Sequence, residues 1–115
     1  MKKKYHAFIG RYQPLHGGHK KLINVVLKEG KNVLVLLKDT GKNEKNPYSV
    51  EERIDMFNGA FPKEIKKGRL KIKAIENVEC ICYGRKVGWD IRKIKLDKET
   101  EKISATKIRK EKDKK

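Results

Sequence analysis

Apolar residues recur along this chain with two spacings, and the alternation between them lays out the elements. A short apolar run over residues 5–9, closed by Ala7, Phe8 and Ile9, predicts a buried first strand, with His6 as a structural member of it. Leu22, Ile23, Val26 and Leu27 then return at helical spacing, while Lys20, Lys21, Asn24 and Lys28 take the other face. That pattern predicts an amphipathic helix over residues 17–29, stopped by Gly30. The unbroken run Val33-Leu34-Val35-Leu36-Leu37 reads as a second strand covered on both faces, and therefore parallel to the first. Strand, helix and strand make one right-handed crossover unit.

The second half continues the alternation. Residues 38–48 are polar, with Gly41 and Pro47, and form a loop off the carboxyl end of the second strand, where this architecture carries function. Ser49-Val50-Glu51-Glu52 has the S-x-x-E form of a capping box, and the helix predicted after it, residues 50–61, buries Val50, Ile54, Phe57 and Phe61. Residues 62–69 connect to a half-exposed third strand, in which Leu70, Ile72 and Ala74 alternate with Lys71 and Lys73. Residues 78–83 are expected to form a fourth strand, with Cys80 and Cys82 on one face as small core fillers. Gly84 and Gly88 then flank a break in which backbone can approach a ligand, with Tyr83 and Trp89 as flat surfaces for a base. Ile91, Ile94 and Leu96 suggest a short last strand. Ser104 is placed to cap a last helix, and the charged run over residues 110–115 is expected to fray. The expected class is α/β: a mostly parallel sheet flanked by helices, in a single small domain over residues 1–115.

The chemistry gathers in Gly10-Arg11-Tyr12-Gln13-Pro14-Leu15-His16-Gly17-Gly18-His19, between the first strand and the first helix. A strand, a turn and a helix start form the place where an α/β sheet binds phosphate, because the helix dipole and backbone N–H groups face the ligand there. His16 and His19 fall on neighbouring positions of one helix face. Their ring N–H groups can donate to phosphate oxygens without adding a permanent charge.

This segment resembles the H-x-G-H signature of the nucleotidyltransferase superfamily, and its G-R-[FY]-Q-P form is most similar to the nicotinamide-mononucleotide adenylyltransferase branch. A second family motif, I-S-x-T-x-[IV]-R, stands at Ile103-Ser104-Ala105-Thr106-Lys107-Ile108-Arg109. Asn46-Pro47-Tyr48-Ser49-Val50-Glu51-Glu52-Arg53 resembles a third family segment. The resemblance covers residues 5 to 110 and implies a Rossmann-like fold. It also implies transfer of a nucleoside monophosphate, AMP or CMP, from ATP or CTP to a small phosphorylated acceptor, with release of pyrophosphate.

By resemblance, His16 and His19 bind the triphosphate, with His19 the main donor at the α-phosphate. Gly10 and Arg11 lie where the chain passes the phosphates. Ser104, Thr106 and Arg109 hold the outer phosphates, and Gly84 and Arg85 belong to the nucleotide loop. Lys42, Lys45 and Arg53 are the candidates on the acceptor side, and Lys45 is also a candidate for contact with the transition state. Mg²⁺ is expected to be held mainly by the triphosphate, with no dedicated protein site and Asp39 as the nearest carboxylate. The chain is shorter than nicotinamide-mononucleotide adenylyltransferases and nearer in length to small cytidylyltransferases, so base and acceptor stay open. A homodimer is the expectation for small members of the family. A non-catalytic nucleotide- or RNA-binding protein on the same fold is the alternative.

Composition narrows the remaining classes. Of the 115 residues, 31 are Lys or Arg and 15 are Asp or Glu, a formal charge of +16. Such a balance suits anionic partners. The lysines are spread along the whole chain rather than on one helical stripe, so a primary nucleic-acid role is not expected from the sequence. The two cysteines do not form a disulfide framework, and no other ligands stand near them in the sequence. Met1-Lys2-Lys3-Lys4 is basic, but no long apolar stretch follows it, so neither a signal peptide nor a membrane span is expected, and the expected location is the cytoplasm.

Overall fold

The first two apolar runs lie side by side as parallel strands, and the third joins beyond the second. The computed structural model describes residues 2–82, 84 and 90–95. In chain order these form β1 (Tyr5–Gly10), α1 (Gly17–Lys28), β2 (Asn32–Lys38), α2 (Val50–Ala60), α3 (Pro62–Lys66) and β3 (Leu70–Ile75). The sheet order is β1-β2-β3, with both pairs parallel. Tyr5 stands opposite Asn32 and Gly10 opposite Leu37, while Val33 stands opposite Leu70 and Lys38 opposite Ile75. All three carboxyl ends therefore meet at one end of the sheet, and all three amino ends at the other.

The alternation of β2 decides which face is the core. Val33, Val35 and Leu37 are fully buried and join Leu70 of β3. Ile23, Val26 and Leu27 from α1, with Phe57 from α2 and Phe61 just after it, close over them in one apolar cluster. Each such side chain contributes roughly 1.5–3 kcal/mol by leaving water. On the other face, the register sets Ala7, Leu34 and Lys71 in one row and Ile9, Leu36 and Lys73 in the next. Ile9 there is 38% exposed. The two-sided cover expected for the second strand is thus complete on one face, while Leu34 and Leu36 on the other are half-buried.

Each helix start has a chemical cause. Ser49 Oγ accepts the Glu52 N–H at 3.1 Å, and a Glu52 carboxylate oxygen accepts the Ser49 N–H at 3.2 Å, completing the expected capping box of α2. Glu51 and Glu52 also place negative charge in the first turn, where the helix dipole favours it. Within the stretch expected to be a plain connection, Pro62 begins the short helix α3, since a first-turn residue needs no N–H partner.

Two expectations fail among the described residues. Residues 78–82 form no strand: the Val78 N–H donates to the Glu76 carbonyl at 2.7 Å, a tight turn that carries the chain off the sheet after β3. Cys80 and Cys82 are consequently exposed rather than core fillers, with their sulfurs 4.0 Å apart. Residues 91–95 also form no strand. Ile94 packs against the core, and Arg92 makes a two-pronged ion pair with Glu29 at the end of α1, one of its bonds 2.8 Å long. The nucleotide-loop candidates Tyr83, Arg85 and Trp89, together with Leu96 and everything after it, lie outside the described residues. No helix among the described residues is long and apolar enough to cross a membrane.

Candidate active site

At the carboxyl end of the sheet, the turn between β1 and α1 faces the loop between β2 and α2. His16 is the N-cap of α1. Its Nδ1 accepts the N–H of Gly18 at 3.1 Å and that of His19 at 3.4 Å. His19 Nδ1 in turn accepts the His16 N–H at 3.2 Å. Two histidines thus build the reciprocal cap that a Ser and a Glu build on α2.

This arrangement sets the tautomers. A ring nitrogen that accepts carries no proton, so the proton of each neutral imidazole sits on Nε2. The two rings stack with centroids 3.7 Å apart and an angle of 18° between their planes. Burial, and then the neighbouring His16, push the His19 imidazole down from 6.5 to about 4. Burial also lowers His16. Near neutral pH the pair is uncharged and offers one Nε2–H donor on each of two stacked rings. The sequence reading expected the backbone N–H groups of this helix start to face a ligand as well. Those of Gly18 and His19 are instead taken by His16 Nδ1, and that of Lys20 by the His16 carbonyl at 3.1 Å.

Tyr12 supports the pair from below. Its ring is buried and meets His19 edge-on at 4.7 Å and Phe57 edge-on at 5.1 Å. Burial raises its phenol far above the ordinary value. Tyr12 takes a left-handed backbone conformation, φ +51°, rare for a bulky residue. Its ring also explains Gly10, because a β-carbon there would come within 3.2 Å of Tyr12 Cε2. Gly10 is where the strand end makes room for the ring that backs His19.

Three polar side chains then fix the facing loop. The Gln13 amide donates to the Tyr48 carbonyl and accepts the Tyr48 N–H, both at 2.9 Å, with the residue 1% exposed. Asn46, also buried, donates to Asn43 Oδ1 at 3.1 Å, and its own Oδ1 accepts from Arg11 at 3.4 Å, which orients the Arg11 side chain. Arg53 is 1% exposed and donates to the carbonyls of Arg11 at 2.7 Å, Lys38 at 2.9 Å and Ser49 at 3.2 Å. One guanidinium thereby ties the ends of β1 and β2 to the start of α2. Burial lowers its pKa, while Asp39 and Glu51 oppose that shift.

The structure therefore brings Gly10, Arg11, His16 and His19 together, with Arg53 beneath them as a backbone clamp rather than on an open face. Lys42 and Lys45 are exposed on the 39–49 loop. Lys42 lies 3.7 Å from the Glu52 carboxylate, and the Lys45 N–H donates to Asn43 Oδ1 at 3.0 Å. Gly84 is exposed, with open space around it. Arg85, Ser104, Thr106 and Arg109 lie outside the described residues. Gln13, Tyr12 and Asn46 received no role from the sequence, although a polar Gln inside an otherwise Gly/Pro and apolar turn is a signal that could have marked the first of them.

A parallel α/β sheet with a capped helix and paired neutral donors at its carboxyl end is the arrangement that α/β proteins use to receive a phosphate. The chain belongs to the cytidylyltransferase-like family, whose model matches residues 7–73. Among curated proteins it is similar to the nicotinamide/nicotinic acid mononucleotide adenylyltransferase of Acinetobacter baylyi, 37% identical over 52% of this chain and 33% of that protein. It is also similar to nicotinamide-nucleotide adenylyltransferases of Thermococcus sibiricus and Caldivirga maquilingensis. The first is 31% identical over 62% of this chain and 40% of that protein, the second 37% identical over 63% and 42%. The match thus spans well under half the length of these relatives. Among solved structures, a bifunctional NMN adenylyltransferase/ADP ribose pyrophosphatase from Francisella tularensis, complexed with AMP and a manganese ion, superposes with a TM-score of 0.56. It is 29% identical over 65% of this chain and 23% of that one.

Proposed function

We propose that this chain transfers AMP from ATP to a small phosphorylated acceptor, a mononucleotide in the first instance, with release of pyrophosphate. The observation that carries the reading is the reciprocal His16–His19 cap, which holds two neutral Nε2–H donors side by side at the carboxyl end of β1. An acceptor phosphate oxygen forms a bond to the α-phosphorus, and the bond from that phosphorus to the β-phosphate bridging oxygen breaks. The acceptor phosphate is ionised near neutral pH, so no general base is required, and the protein's task is placement and stabilisation of negative charge. His19, with His16, donates to the α-phosphate, and Arg11, steadied by Asn46, supplies fixed positive charge beside it. Lys42, after leaving its ion pair with Glu52, and Lys45 are assigned the acceptor from their exposed loop. Ser104, Thr106 and Arg109 are assigned the outer phosphates, and Gly84 and Arg85 the nucleoside, on the strength of the motifs alone.

Mg²⁺ supplies charge neutralisation when it is bound to the triphosphate. Asp39 accepts the Gly41 N–H at 3.1 Å and shapes a turn there, which suits a metal held mainly by the phosphates. The working form is proposed to be a cytoplasmic homodimer, which light scattering on a sizing column reads directly.

The deciding experiment measures pyrophosphate release with Mg²⁺, crossing ATP and CTP against nicotinamide mononucleotide, glycerol 3-phosphate and phosphopantetheine, with His19→Ala as control. ATP with a mononucleotide is the expected productive pair, abolished by the substitution. Turnover with CTP alone would replace the base assignment. ATP binding without turnover across a broad acceptor panel, and unaffected by His19→Ala, would replace catalysis with nucleotide binding.

A further inference from the structure

Among the described residues, the positive charge is not gathered where the proposed chemistry is. The segments that follow the three strands, residues 11–17, 39–49 and 76–82, hold three cationic side chains and four carboxylates. The segments that precede the strands, residues 2–4, 28–31 and 66–69, hold eight cationic side chains and one carboxylate, Glu29. That one carboxylate is already engaged by Lys31 at 3.4 Å and by Arg92. Three runs far apart in sequence converge because the strands are parallel and in register. Lys4, Lys31 and Arg69 end up at neighbouring positions, one before each strand. With strands ~4.8 Å apart, the three starts lie within about 10 Å of one another. The Lys3 ammonium lies against the Gly68 turn, 3.2 Å from where a β-carbon would sit, next to Lys67. Arg69 donates to the carbonyls of Leu27 at 2.7 Å and Lys31 at 3.0 Å, which locks the rows together. The cationic surface continues onto the open face of the sheet, where Lys71 stands over the Tyr5 ring at 5.7 Å.

We propose that this amino end of the sheet is a docking surface for the phosphate backbone of a nucleic acid, on the side of the molecule opposite the His16–His19 site. Eight like charges held this close repel one another, and an extended polyanion relieves that repulsion while releasing its own counterions. Residues 2–4, 28–31 and 66–69 contain no apolar side chain that could enter a lipid interface, which favours a nucleic acid over a membrane. They carry no Asn, Gln, Ser, Thr or aromatic side chain to read or stack on a base, and Arg69 is committed to two backbone carbonyls, so binding follows the backbone and not the sequence. The surface does not depend on the proposed transfer reaction.

The test is fluorescence anisotropy of a labelled 20-nucleotide single-stranded RNA of mixed sequence, titrated with the full chain from 50 to 200 mM KCl. With about four phosphates neutralised, log Kd should change with log salt at a slope near 3. Lys3→Glu/Lys4→Glu/Lys67→Glu should weaken binding more than tenfold at 100 mM KCl and lower the slope by about 2. Lys20→Glu/Lys42→Glu/Lys45→Glu makes the same change of charge at the carboxyl end and should weaken binding less than threefold. Matching thermal transitions for both variants establish that they are folded. Equal losses in the two variants would overturn the proposal, as would no RNA binding at 150 mM KCl. Binding to phosphatidylserine vesicles without binding to RNA would overturn it in favour of a membrane.

Discussion

The two ends of this sheet are built from the same strands and could hardly differ more. At the carboxyl end, recognition rests on a few groups held rigidly: two uncharged imidazoles, one oriented arginine, and buried amides that fix the loop beside them. Net charge there is slight. At the amino end there is an excess of exposed lysines, and the strand starts are tied by Arg69 to two carbonyls and by Glu29 to Lys31 and Arg92. The contrast separates two ways of meeting an anion. A compact phosphate under attack needs donors at fixed positions, because charge develops at fixed atoms. A long polymer needs a field, because its charges are spread and its contacts interchangeable.

The comparison breaks most visibly at His19. His19→Ala should lower kcat/KM for the proposed transfer by about 10²–10³, the usual effect of removing one preorganised donor. Lys67→Ala at the other end should leave it unchanged. Steady-state pyrophosphate assays on both read the difference, and equal effects would show that field rather than placement governs the site.

Arg53 tests whether rigidity at the carboxyl end is a matter of stability. Arg53→Met leaves three part-buried carbonyls without their charged donor and should cost about 3 kcal/mol in urea unfolding. Substituting an exposed lysine of the amino end should change stability by less than about 0.5 kcal/mol.

A smaller effect is expected at Gly10. Gly10→Ala presses a methyl group on the Tyr12 ring and, through it, on His19. Turnover should fall about tenfold to a hundredfold, because small misplacements of a donor are costly, while binding to RNA stays as it was. Tyr12→Phe keeps the ring and should be nearly silent in both assays.

Acid sharpens the contrast further. The folded His19 sits near 4 and the unfolded one near 6.5, so between these values the unfolded chain binds more protons. Stability from the histidine cap is therefore fully present above pH 6.5 and lost progressively as pH falls toward 4. Protonation of Nδ1 removes the acceptor that holds the helix start. Glu29, held near 2 by Arg92 against an ordinary 4.5, adds its own loss from 4.5 downward, overlapping only the acid end of that window. Urea midpoints at pH 7 and pH 5 should differ for the wild type, and His19→Ala should flatten the difference.

Much of this was legible in the residues. The first three strands and both longer helices follow from apolar spacing, and the S-x-x-E box from its letters. His16 and His19 could be placed on one helix face by counting. What counting could not supply was their mutual capping, since that depends on ring orientation. Arg53 illustrates the same limit. The family resemblance put it on the acceptor side, and the fold turned it inward onto three carbonyls that lie 15 to 42 residues away except for that of Ser49. Residues 78–82 failed for a different reason. Their alternation matches a strand, but a strand exists only where a neighbour completes its hydrogen bonds, and the turn at Val78 leaves the sheet.

The sequence by itself determined the first three strands and the two longer helices, because these are written in local apolar spacing, and its motifs carried the resemblance to the family. Only the tertiary structure decided where the charge goes. Read along the chain, the lysines are scattered. Parallel pairing in register folds three separate runs onto one end of the sheet and, among the described residues, leaves the segments at the other nearly neutral, since every strand of a parallel sheet points its amino end the same way.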